Sequence, residues 1–424
     1  MKAFEKIIGY DSVKTELYQI IDMFKNKELY EKMGAKLPKG VLIVGEPGMG
    51  KSMLAEALIE ECNVKSYSIK MNKETKELIN EITDTFLKAS ENESAIILFD
   101  DIDKFSEASG EKIDDKVFVT IQSGIDSVKN NNVLVVATAN NYLKLPDSLI
   151  RNGRFDKKIE LVTPSYDDAR KIIEYYMKNK PVDPNLNYED VSKMISYTSC
   201  ADLQSILNRS AIYASYQRKE YIEMEDIVKS YLSDRYSSPD ENYKCSDERI
   251  EETSLHEAGH AAVAEVLQKG SIGFVCVKTS GRNEVDGFTS INDELNRRPY
   301  RVLVALGGKA AVELFNNGKC ASGCYSDLRN ASSLLKSGIK NNGICGFGML
   351  DNGLNQASDS YQERNEAVVA AELERYMFIA KEILLKNKDF LMELTNTLKE
   401  KHILLYSDIQ KIRNSFEINS VSGI

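Results

Sequence analysis

Cysteine is scarce in this chain of 424 residues: there are seven, an odd number that cannot pair completely. A disulfide framework is therefore excluded, and the thiols read as reduced groups of a cytosolic-type, cytoplasmic compartment. Cys320 and Cys324 have no second pair to complement them as metal ligands, so they read as small buried apolar residues. Positive charge is in deficit, with 55 Lys and Arg against 65 Asp and Glu, a net of −10. That balance excludes a general attraction to nucleic acid or to anionic membranes. Long apolar runs are missing as well. VLIVG and AIILF fall far short of the ~20 residues a spanning helix needs. The opening MKAFEKIIGY has no stretch fit for a signal peptide. Internal repeats and low-complexity tracts are also absent. What remains, 42% apolar and 28% charged residues, is ordinary for a globular protein and excludes a collagen-like, mucin-like or wholly disordered chain.

At about 150 residues per domain, this length makes two or three domains. Residues 1–40 read as helical, with apolar positions of DSVKTELYQIIDMF recurring every three or four residues. Buried-strand runs then alternate with helical stretches: VLIVG (41–45), AIILF (95–99) and VLVVATA (133–139). Alternation of this kind implies a parallel sheet of the α/β class with helices on both faces. From residue 164 the strand signal fades into helical segments. The polar stretch SSPDENYKCSDE (237–248) marks a linker. Beyond it the chain is mainly helical, with one β-like insert around 274–291. The expected division is an α/β nucleotide-binding domain (1–163), a helical lid (164–236), the linker, and a mainly α-helical domain (249–424).

The segment GEPGMGKS (45–52) fits G-x-x-x-x-G-K-[ST] and lies between a buried strand and a helix. Its glycines let backbone N–H groups approach phosphate oxygens, and the helix N-terminus adds the positive end of its dipole. Gly45, Glu46, Pro47, Gly48, Met49 and Gly50 form the cradle, and Met53 follows in the first helical turn. Lys51 is placed to reach the β- and γ-phosphates of ATP, and the Ser52 hydroxyl to ligate magnesium. AIILFDD (95–101) supplies the acidic partner at a strand end. Asp100 would hold the hydrated magnesium and Asp101 would polarise the attacking water. Asn140, just past the third apolar run, is suited to orient that water or the γ-phosphate. RNGRF (151–155) adds Arg151 and Arg154, which alone read as surface charges.

Histidine is the rarest chemistry-bearing residue here, three in all, and two of them stand in HEAGH (256–260). Residues four apart share one helix face, so His256 and His260 can converge on one metal. Glu257 can serve as general base for an attacking water. Ser254 and Glu257 also fit a capping box, which offers Glu257 a purely structural use. A third protein ligand is needed, and with no suitable downstream histidine it should be a carboxylate, which spacing alone does not select. His402 reads as structural or exposed.

The order of these motifs resembles that of the FtsH family of ATP-dependent zinc metalloproteases. The likeness runs through KIIGYDSVKTEL, the phosphate loop, RNGRFDKKIEL, the CADL segment, HEAGH, LGGKAAVELF and ASGCYSDLRNAS, nearly the whole chain. The resemblance implies Asp327 as the third zinc ligand and Asn140 as the nucleotide sensor. It places Ile8 and Gly9 in the adenine pocket, and makes Arg151 and Arg154 arginine fingers that act on a neighbouring subunit. It further implies an AAA+ module with a helical lid, a zinc metallopeptidase domain, a homo-oligomeric ring of six, and protein or peptide substrates. Zinc, ATP and magnesium are the implied cofactors.

Several positions depart from the family pattern. Members usually carry an N-terminal membrane anchor, whereas this sequence starts at the ATPase module. The family's aspartate–glutamate pair is Asp100–Asp101, one methylene shorter. No aromatic pore loop is recognisable in residues 66–82, where Met71 is the one bulky apolar candidate near the expected loop. An Asp-Gly-Phe signal appears as Ser123-Gly124-Ile125. The leading expectation is an ATP-dependent zinc endopeptidase. The alternatives are a zinc peptidase weakly coupled to ATP, or a nucleotide-gated remodelling ATPase with a silent protease tier.

Overall fold

A computed structural model describes residues 3–70, 75–106, 115–128, 131–151, 153–236, 246–277, 287–291, 295, 297–316, 324–342 and 359–421. The chain forms two compact units, Met1–Asn179 with Tyr197–Leu207, and Lys180–Ser196 with Asn208–Ile424.

The first unit opens with α1 (Asp11–Lys25) and the short α2 (Lys27–Lys32). Strands and helices then alternate: β1 (Gly40–Val44), α3 (Lys51–Cys62), β2 (Lys65–Lys70), α4 (Thr75–Ser90), β3 (Ala95–Asp100), α5 (Asp115–Ser127), β4 (Val133–Ala139) and β5 (Lys157–Glu160). The five strands are parallel, in the order β2-β3-β4-β1-β5. β1, β3 and β4 are apolar almost throughout because both faces are covered. One face buries Val41, Ile43, Ile96, Leu98 and Val136 against Leu17 and Phe24 of α1 and Leu54 and Leu58 of α3. The other buries Leu42, Val44, Ile97, Phe99 and Val135 against Ile82 and Phe86 of α4 and Phe118 and Ile121 of α5. The expected α/β layering is present. β2 and β5 were not expected: they are the two edge strands, and each buries a single side chain, Ile69 and Ile159.

The register of β1 on β4 pairs Val44 with Ala139, which aligns the C-terminal ends of the central strands. The loop after β1, the acids after β3 and the asparagine after β4 thus share one edge, where ligands bind in open α/β sheets.

The helices expected to form a lid are α6 (Tyr166–Met177), α7 (Tyr188–Ile195), α8 (Cys200–Tyr216) and α9 (Met224–Tyr236). α6 and the first turns of α8 fall in the first unit, and the remainder in the second.

In the second unit, α10 (Asp247–Leu267) is buried at every position from Ser254 to Glu265. The other helices are α11 (Arg298–Phe315), α12 (Cys324–Asn342), α13 (Asp359–Lys386), α14 (Lys388–Lys401) and α15 (Tyr406–Asn414). A small antiparallel sheet, β7-β6-β8, is made of β6 (Ile272–Cys276), β7 (Phe288–Ile291) and β8 (Ile403–Leu405). β6 and β7 lie in the expected insert, while β8 was read as helix. The capping-box use of Ser254 and Glu257 is overturned. The N-cap of α10 is Ser246, which accepts from Arg249 N at 3.3 Å, so Ser254 lies well inside the helix. Most of the expected linker, residues 237–245, lies outside the described residues, as does Met71. No described helix is long and apolar enough to cross a membrane.

Candidate metal centre and nucleotide site

One turn of α10 stacks His256 above His260, with the two Nε2 atoms 3.1 Å apart. Asp327, in the first turn of α12, brings Oδ2 to 3.0 Å from His256 Nε2 and 3.3 Å from His260 Nε2. Among the described residues this is the one group of three or more His, Cys, Asp or Glu side chains whose ligand atoms could share a metal. Asp327 Oδ2 and His256 Nδ1 are buried without a hydrogen-bond partner. His256 Nε2, His260 Nε2 and Asp327 Oδ2 thus converge on one another, each within 3.3 Å of the other two. Donor separations of 3.0 to 3.3 Å approach the edge of a tetrahedron with bonds of about 2.0–2.1 Å, roughly 3.3–3.4 Å. Two imidazoles and a carboxylate with no thiolate also form the kind of set that leaves a catalytic zinc one open position. The residues present fit the ion.

The packing around the pair is close. His260 Nδ1 lies 2.6 Å from the Val304 carbonyl of α11, which keeps the ring proton on Nδ1 and turns Nε2 towards the site. A Cβ on Gly308 would stand 2.5 Å from His260 Nε2 and 2.7 Å from His256 Cε1. One on Gly259 would stand 2.5 Å from the Gly307 carbonyl, so α10 and α11 meet backbone to backbone. Burial pulls the His260 pKa down, but Asp327 and Glu257 outweigh it and carry it to about 9. Burial likewise opposes ionisation of Asp327, yet the two histidines hold its carboxyl well below the usual range. The donors are already strongly polarised towards one another.

Glu257 is buried next to the pair, and burial raises its pKa against the opposing pull of His260 and His256. Its Oε2 accepts from Thr289 Oγ1 of β7 at 2.7 Å. Thr289 went unnoticed in the sequence, because a contact across 32 residues leaves no local pattern. His402 caps α14 in a left-handed conformation, φ 62°.

In the first unit, Gly48 and Gly50 take φ of 79° and 88°, which the loop needs to turn into α3. No side chain caps that helix, so its first N–H groups remain available to phosphate. Lys51 Nζ donates to the carbonyls of Gly45 and Glu46, both at 2.8 Å. Its pKa is lowered by burial, against the pull of Asp101, Asp103 and Asp100. Ser52 Oγ donates to Asp100 Oδ1 at 2.9 Å, and Thr138 Oγ1 to the same oxygen at 2.8 Å. Asp101, at φ 54°, pairs with Lys104 at 2.6 Å and accepts from Asn140 Nδ2 at 3.4 Å. The geometry therefore brings Lys51, Ser52, Asp100, Asp101 and Asn140 together. Glu46, Pro47, Met49 and Met53 fall in or just after the loop, and Met49 is buried. Gly9, at φ 75°, faces Asp168, and Ile8 precedes it in the turn before α1. Arg151 is exposed. Arg154 is buried, with its guanidinium on the Ser148 carbonyl at 2.6 Å and on Asp126 at 2.9 Å.

The family model of the ATPases associated with various cellular activities (AAA) matches residues 41–163. That of peptidase family M41 matches residues 244–412. Fold and sites together define an AAA ATPase module joined to an M41 metallopeptidase domain. The chain is 30% identical over 390 residues to ATP-dependent zinc metalloprotease FtsH 2 of Sphaerobacter thermophilus, covering 88% of this chain and 59% of that protein. To FtsH 2 of Thermoanaerobacter sp. it is 27% identical over 431 residues, covering 96% and 82%. To FtsH of Ureaplasma parvum it is 28% identical over 445 residues, covering 96% and 60%. The chain thus spans about three fifths of two of these relatives' length. Its two family matches and these likenesses over most of its length support an FtsH-type protease, and zinc and magnesium ATP are the cofactors that go with its two sites.

Proposed function

We propose that the chain is an ATP-dependent zinc endopeptidase acting on unfolded polypeptides, or on proteins that its own ATPase module unfolds. The observation that carries this reading is the meeting of His256, His260 and Asp327 beside the buried Glu257, on a chain that also bears a phosphate loop. A zinc ion held by the three side chains would polarise a peptide carbonyl and bring the pKa of a bound water to about 7. Glu257 takes the proton from the attacking water and returns it to the leaving nitrogen. Its burial supports this role by raising its proton affinity. In the ATPase module, Lys51 exchanges its loop carbonyls for phosphate oxygens. Ser52 and Asp100 hold the hydrated magnesium, while Asp101 and Asn140 orient water.

The working assembly in this reading is a homo-oligomeric ring of six, with Arg151 completing a neighbour's nucleotide site and Arg154 holding its loop in place. Substrates are proteins or peptides, and the net charge of −10 gives no reason to add nucleic acid. Cys62, Cys200, Cys276 and Cys324 form no disulfide, which suits a reducing, cytosolic-type compartment. In this reading the functional parts are 1–163, 164–236, 237–248 and 249–424. A second reading, a peptidase weakly coupled to ATP, is favoured by one contact: Lys104 neutralises the carboxylate that should activate water.

Degradation of an unstructured model protein, with and without ATP, distinguishes these readings. Wild type should degrade it and Glu257→Gln should not. ATP should accelerate the wild type several-fold, and equal rates without ATP would favour weak coupling. Cleavage by Glu257→Gln at the wild-type rate would overturn the proposal.

A further inference from the structure

We propose that Thr289 is a positioning residue for Glu257, fixing one carboxylate oxygen so that the other meets the attacking water. This rests on Glu257 being the general base. A glutamate has three side-chain torsions, and a base that drifts by an ångström loses on the order of 10²-fold in rate. α10 alone does not restrain the Glu257 head. β7 does. Gly287 immediately precedes that strand, two residues before Thr289. At Gly287 a Cβ would come within 2.9 Å of Glu257 Cγ, so the glycine leaves room for the stem of the side chain. At Thr289 the hydroxyl lies 2.7 Å from Glu257 Oε2 and 3.2 Å from the Glu257 carbonyl.

A threonine hydroxyl has one proton, and the shorter contact assigns it to the carboxylate. Oε2 is thereby committed, and Oε1 is left for chemistry. β7 cannot drift freely, because Thr289 is in register with Val275 of the fully buried β6. The strand thus acts as a rigid support from which one hydroxyl aims the base, as a well-ordered catalytic site requires.

The experiment compares Thr289→Val, isosteric but without the hydroxyl, with Thr289→Ser, which keeps it, in the intact zinc-loaded chain. The probe is an unstructured, fluorescently labelled polypeptide. Thr289→Val should lose about 10- to 100-fold in kcat with KM within about 3-fold, and Thr289→Ala should repeat the loss. Thr289→Ser should stay within about 3-fold of wild type, and zinc content should be unchanged throughout. A second readout needs no metal. In chelator-stripped protein, Thr289→Val should lower the melting temperature by about 4 °C, because a hydrogen bond to a buried carboxyl group is lost. In a Glu257→Ala background that shift should vanish. If Glu257→Ala itself cleaves normally, the base assignment fails. If it is inactive while Thr289→Val keeps wild-type kcat, or if Thr289→Ser is as slow as Thr289→Val, the positioning role alone is overturned. An unchanged melting temperature in the stripped Thr289→Val protein overturns it as well.

Discussion

Asp101 carries two burdens in this chain. Its backbone sits at φ 54°, a region most side chains avoid but aspartate tolerates better than most. Its carboxylate is neutralised by Lys104 at 2.6 Å. With Lys104 more than half exposed, the ion pair contributes little to stability, so its consequence is positional. A carboxylate held by an ammonium is less able to polarise water at the γ-phosphate. Two changes should relieve this. Asp101→Glu extends the carboxylate by about one carbon–carbon bond, and Lys104→Ala frees it. Each should raise steady-state ATPase activity several-fold while leaving zinc content unchanged. If neither alters turnover, the slow step lies elsewhere and the weak-coupling reading loses its support.

Among the elements, α10 and α11 meet so closely that glycine is required at their crossing. Ala is about 1 kcal/mol better than Gly inside a helix, so propensity alone has Gly308→Ala stabilise α11. Sterics have the opposite sign. The added methyl would stand 2.5 Å from His260 Nε2, and overpacking of this kind costs about 1–3 kcal/mol. Gly308→Ala should therefore lower the melting temperature and weaken zinc binding at least tenfold, which competition with a fluorescent chelator measures. Retained affinity with raised stability would show that the helices can part without harm. This crossing also shows what the sequence could and could not convey. The histidine pair was legible because four-residue spacing on one helix is a local pattern. Asp327 lies 67 residues beyond His260, and only resemblance singled it out. The Gly307–Gly308 pair was visible as letters, but its reason, a backbone contact with Gly259, needed the packing. Thr289 was not visible at all. Strands β2, β5 and β8 escaped because short strands that each bury one side chain show no continuous apolar run. The central strands, covered on both faces, were readable from composition alone.

At the scale of the whole molecule, the chain carries a phosphate site in one unit and a metal site in the other, and the arginines test the proposed assembly. Arg154 is committed to Ser148 and Asp126 of its own chain, whereas Arg151 is exposed and free to reach a neighbour. An arginine supplied in trans contributes about 10³-fold or more to phosphoryl transfer. Arg151→Ala and Lys51→Ala rings should each be nearly inactive as ATPases. Rings mixed from both should recover activity, because an intact loop can then sit beside an intact arginine. No recovery in rings proven to be mixed would confine Arg151 to its own subunit. Two helices and three side chains make the proposed zinc centre, and metal analysis of purified protein tests this directly. Wild type should hold one zinc per chain, and His260→Ala and Asp327→Ala should each lose most of it while still binding ATP. Full zinc occupancy in Asp327→Ala would contradict the site as described.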